Sequence, residues 1–130
     1  MFSQVSNDIK VTVIPRYLES ESSPPDDYFA WAYTVKIENN REQPIQLLNR
    51  HWRVYDANGS IQEVFGTGVI GQQPVIEPNA AFEYTSCTQL TTGFGIMVGD
   101  YEMIDSNDNQ TIDVQIPPFS LDSPFNNLAH

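Results

Sequence analysis

Apolar and polar residues alternate with a period of two along most of this chain, as in strands that bury one face. Ile9, Val11 and Val13 alternate with Lys10 and Thr12, predicting a first strand that stops at Pro15. Phe29, Trp31, Tyr33, Val35 and Ile37 share one face of a long strand rich in the aromatic and β-branched residues that suit a pleat. Between them, Glu19 to Asp27 has no apolar side chain and reads as an exposed loop. In the third strand, Pro44 to Tyr55, Leu48, Trp52 and Val54 share one parity and Leu47 and Tyr55 the other. Asn58-Gly59 is a strong hairpin signal, because both residues tolerate positive φ, and Ile61 to Phe65 is expected to return antiparallel.

Pro74 to Ile76 predicts a short edge segment, followed by strands over Ala81 to Cys87, Gly95 to Ile104 and Thr111 to Ile116. Pro117-Pro118 is expected to end the last of these, since proline lacks the ladder donor, with Phe119, Leu121 and Phe125 packing the tail on the body. No segment carries a clean helical stripe. The expectation is an all-β immunoglobulin or fibronectin type III-like sandwich of about seven antiparallel strands. One domain over 1–130 is expected, with residues 1–8 and 122–130 as flexible ends.

Composition narrows the function classes. The chain has 6 basic and 17 acidic residues and a net charge of −11. All the basic residues lie at or before Arg53, so binding to nucleic acid or to anionic membranes is disfavoured. The single cysteine, Cys87, excludes an internal disulfide. Met1 to Asp8 has neither the basic nor the apolar region of a secretory signal, so the expected location is the cytoplasm.

Few motifs carry chemistry. Gly66-x-Gly68-x-x-Gly71 has dinucleotide-loop spacing, but Gln72-Gln73-Pro74 follows where that fold needs a helix. Turn geometry explains these glycines first. A phosphate nest of bare amides, with Arg50 or Arg53 as the cation, is the second reading. Asp105 to Asn109 resembles the start of a calcium loop, yet Gln110 and Ile116 occupy the positions that need Gly and Glu, so it reads as a hairpin turn. His51, His130 and Cys87 have no metal-ligand spacing, and no catalytic constellation is visible. Leu47 and Leu48, adjacent and of opposite parity, place one apolar side chain outward.

Several segments taken together resemble the ApaG family. These are Tyr17-Leu18-Glu19-Ser20, Phe29 to Asn39, Pro44 to Trp52, Gly66 to Pro74, Phe82 to Ser86, Gly99 to Met103 and Ile116-Pro117, in unbroken order. Two positions depart from the pattern, Asn79 and Cys87, where glycine is usual. The resemblance implies a fibronectin-like sandwich in the bacterial cytoplasm, associated with cobalt and magnesium homeostasis and with a dinucleoside-polyphosphate hydrolase. It implies no enzymatic activity. The expectation is a non-enzymatic protein-binding module, monomeric or homodimeric, with no cofactor or metal site beyond a weak divalent cation or phosphate ligand. The alternative is a sensor of pyrophosphate, nucleotide or dinucleoside polyphosphate, built on Gly66, Gly68, Gly71, Arg50 and Arg53.

Overall fold

A computed structural model describes residues 1–125. The expected flexible end therefore lies outside the described residues from position 126 onward. The described residues form nine strands, β1 (Phe2–Ser6), β2 (Ile9–Tyr17), β3 (Phe29–Asn39), β4 (Ile45–Asp56), β5 (Ile61–Thr67), β6 (Val75–Ile76), β7 (Ala81–Leu90), β8 (Phe94–Asp105) and β9 (Thr111–Asp122). They make an antiparallel sandwich, with sheet order β1-β2-β3-β7 facing β5-β4-β8-β9 and β6 paired to β4. Tyr33, Trp52 and Phe119 meet edge-on or tilted at its centre, with ring centroids 5.5–5.9 Å apart. Among the described residues no helix is long and apolar enough to cross a membrane.

The structure corrects the reading at both ends of the chain. Phe2–Ser6, expected to be flexible, pairs with β2 from Phe2↔Val13 to Ser6↔Ile9. Strand β2 does not stop at Pro15 but runs to Tyr17. The Leu18 amide donates to the Ala30 carbonyl, so even-numbered residues of β3 turn their peptide groups toward β2 and odd-numbered ones toward β7. Pro15, opposite Tyr33, thus points its nitrogen away from β3, where β1 has already ended. No ladder bond is lost. Strand β9 likewise continues through Pro117 and Pro118, because it is an edge strand and both prolines oppose Val98 in a bulge.

The side of the sandwich where β1 meets β9 is closed. Asn7 Nδ2 donates to the Asp113 carbonyl at 3.0 Å, and the rings of Phe2 and Phe119 lie 6.1 Å apart. At the bottom, Arg41 binds the Asn7 carbonyl through Nη1 and the Asp105 carboxylate through Nη2, the latter at 2.9 Å. Asp105 also accepts the Asn107 amide at 2.8 Å and closes the polar hairpin turn expected there. That amide bond and the Arg41 guanidinium hold the buried Asp105 carboxyl below the usual carboxylate range.

A depressed folded value stabilises the protein fully above the unfolded carboxyl range, and this contribution is lost as pH falls through the folded value. Asp105→Asn should therefore remove part of the acid-side loss of stability below about pH 4, read from urea midpoints across pH.

Candidate functional site

The register of β4 against β8 slips between Leu47 and Asn49, leaving Leu48 as an extra residue. Before it, Ile45 and Leu47 point into the core; after it, Trp52 and Val54 do. The bulge reverses the parity, so both Leu47 and Trp52 are inside although one position is odd and the other even. Half-buried Leu48 turns its carbonyl to the β5–β6 connection, accepting the Gly68 amide at 2.8 Å and Gln73 Nε2 at 3.0 Å.

One consequence is the separation of the two candidate arginines. Arg50 shares the inward parity of Trp52, whereas Arg53 faces out beside Glu63, at 3.5 Å. Arg50 Nη1 donates to the carbonyls of Thr67, at 3.1 Å, and Gly68, at 2.8 Å. A Cβ on Gly66 would stand 2.4 Å from Arg50 Cζ, so Gly66 makes the space in which the guanidinium lies. The structure thus brings Gly66, Gly68, Gly71 and Arg50 together and leaves Arg53 on the opposite face. The glycine segment turns carbonyls, not amides, toward the cation.

Its amides are largely engaged elsewhere. Val69 and Gln72 exchange both backbone bonds at 2.8 Å across a two-residue turn in which Ile70 (φ 43°) and Gly71 (φ 76°) are left-handed. Such turns favour Asn-Gly, and a β-branched residue at positive φ is strained. Ile70 is also 52% exposed, so it gains little from burial in return.

Arg50, Tyr33, Trp52 and Ser86 line two adjoining cavities between the sheets, about 300 Å³ toward Val64 and Thr88 and about 210 Å³ toward Ile70 and Tyr84. Together they form a cleft between β5 and β7. Burial pushes the phenols of Tyr33, Tyr84 and Tyr101 up; the nearby Arg50 charge opposes this without reversing it. The Tyr84 and Tyr101 hydroxyls hydrogen-bond to each other. All three phenols stay neutral and none offsets the arginine. The charged contacts among the described residues engage Lys36, Arg41, His51 and Arg53, and none engages Arg50.

The rim of the cleft is β7, which pairs only with β3 among the described residues. The Asn39 amide donates to the Ala80 carbonyl, so even positions of β7 face β3. Glu83, Thr85, Cys87 and Gln89 therefore aim their N–H and C=O groups at the open edge. Sequence reasoning missed this cleft. The available signal was Ser86 and Thr88, polar residues on the inward parity of Phe82 and Tyr84. The two departures from the resembled pattern are accommodated: Asn79 is left-handed at φ 63°, and Cys87 lies in regular strand.

The outer face of β4 and β5 holds a second arrangement. His51 bonds Asp100 through Nδ1, at 3.2 Å, and Glu63 through Nε2, at 2.7 Å, while Phe65, 71% exposed, stacks on its ring. The cleft differs in that Arg50 Nε and Nη2 have no acceptor among the described residues.

Three substitutions grade the site. Gly68→Ala would set a Cβ 2.1 Å from the Gln72 carbonyl oxygen at φ 63°, while Gly71→Ala meets nothing within 4 Å. Unfolding free energies from denaturant titration should fall by about 1 kcal/mol for Gly71→Ala and by clearly more for Gly68→Ala. Ile70→Asn should raise stability by about 1 kcal/mol by relieving the turn.

The ApaG domain model matches residues 19–105. The chain is 56% identical to Protein ApaG of Paramagnetospirillum magneticum over 124 residues, 95% of each chain. It is 52% identical to Protein ApaG of Rhodospirillum centenum, again over 95% of each. The crystal structure of a Bordetella pertussis protein described as ApaA superposes with a TM-score of 0.87 at 41% identity, covering 90% of this chain and 94% of that one. The chain belongs to the ApaG family.

Proposed function

We propose that this protein is a non-enzymatic binding module whose β7 edge takes up an extended segment of a partner protein. The observation that carries this is the form of β7. It is ten residues long, its register runs without a shift from Phe29↔Leu90 to Glu38↔Ala81, and it contains neither proline nor a basic residue. Sheet edges are normally shortened, bulged, charged or covered, because open N–H and C=O groups template further pairing. Here only Glu83 guards the edge, and the cleft beside it has room for the alternate side chains of an added strand. The exposed, strained Ile70 at one end of that cleft fits a contact surface better than a folding role.

In this reading any link to cobalt and magnesium homeostasis, which the family resemblance alone implies, runs through the partner. The reduced, exposed Cys87 on the docking edge suits a cytoplasmic setting. A phosphate-containing small ligand is the second reading, favoured by Arg50, and it would lean on that side chain more than on the engaged glycine-loop amides.

The docking reading is tested with extended peptides selected from a random displayed library. Amide shifts on binding should centre on Glu83, Thr85, Cys87 and Gln89. Cys87→Pro removes an outward N–H that β3 does not use, so it should abolish binding with little change in the unfolding midpoint. Peptides that bind Cys87→Pro as tightly as the parent would rule the edge out.

A further inference from the structure

We infer that the segment received by β7 carries a carboxylate side chain at one cleft-facing position, and that Arg50 is its seat; this rests on the docking reading above. Both hydrogen bonds that Arg50 makes among the described residues leave from Nη1 and end on neutral carbonyls. Nε and Nη2 have no acceptor there, and neither is among the buried unpaired atoms, so solvent or a ligand reaches them. These two donors form the fork that meets a carboxylate through two parallel bonds.

In a chain of net charge −11, a cation on the inner face of a sheet with no carboxylate partner is unusual. Its neighbours hold it in place without neutralising it. Gly66 leaves the guanidinium its space, Thr67 and Gly68 fix one nitrogen, and the tyrosine floor stays uncharged. A charge prepared this way binds an anion at low ordering cost.

The geometry also sets the spacing. A strand added to β7 lies about 4.8 Å beyond it, and every second side chain enters the cleft. The position level with Ser86 enters beside Arg50, since those two residues line both cavities. The next cleft-facing position, level with Thr88, enters the larger cavity, whose wall is Val54, Val64 and Met97. The expected recognition pattern is therefore an acidic and an apolar residue separated by one outward-facing residue. The proposed occupant is an extended segment of another protein that carries one carboxylate at the position level with Ser86.

The test repeats the displayed-library selection on the wild-type protein, Arg50→Lys and Arg50→Gln, each first checked for a native amide spectrum. Wild-type selection should enrich Asp or Glu two positions from an apolar residue. Replacing that Glu by Gln in a synthetic peptide should weaken binding roughly ten- to a hundredfold. With Arg50→Gln the two peptides should bind alike, and Arg50→Lys should restore only part of the preference. Peptides that depend on the β7 edge but show no acidic preference would overturn this inference and leave the docking reading standing. A selection yielding no binder sensitive to Cys87→Pro sinks both, and binding of inorganic pyrophosphate through Arg50 in that case would assign the arginine to a small anion instead.

Discussion

The extra residue at Leu48 is the constraint on which the rest of this sandwich turns. A strand that alternated strictly through β4 would bury either Ile45 and Leu47 or Trp52 and Val54, because a one-residue change of phase moves every later side chain to the other face. The bulge lets both pairs enter one core. It also sets Arg50 inside and Arg53 outside, and gives the β5–β6 connection a carbonyl to fasten on. The glycine segment, the arginine and the cleft therefore share a cause: the chain spends one residue to keep its core, and the side chain next inward is a cation.

The surroundings of that cation hold it in place without neutralising it. The phenols are neutral and held by burial, and Ser86 lines both parts of the cleft. The positive groups are few and placed, one open in the cleft and others tied to Glu63 and Asp105. In a chain of net charge −11, one open arginine in the cleft would favour selectivity over strength, because like-charged partners are repelled except where a carboxylate meets that side chain.

Much of the fold was legible in the chain. Period-two alternation in Phe29 to Ile37 and the Asn58-Gly59 turn placed β3 and the β4–β5 hairpin, and the family resemblance carried the architecture. The misses have one physical origin: they depend on which side of a strand is free. Pro15, Pro117 and Pro118 were read as strand breakers, yet each stands where its missing donor faces no neighbour or falls in a bulge. Phe2–Ser6 pairs only once β2 and β9 provide a place for it. The opposite parities of Leu47 and Leu48 were visible, but a bulge was not, because it is defined by the partner strand. For the site, the sequence sets Gly66, Gly68 and Gly71 with Arg50 or Arg53, and the structure brings Arg50 to the glycine segment while Arg53 faces out beside Glu63. Their roles were not legible: that carbonyls rather than amides face the arginine follows from Gly68 binding Leu48 and from the Val69–Gln72 turn.

The most direct test of the central claim, that β7 is an open edge in the free protein, is residue-resolved amide hydrogen exchange. Amides of Phe82, Tyr84, Ser86 and Thr88, bonded to β3, should exchange slowly, and those of Glu83, Thr85, Cys87 and Gln89 quickly, in strict alternation. Uniformly slow exchange along the strand would contradict the account, because it would mean the edge is already covered.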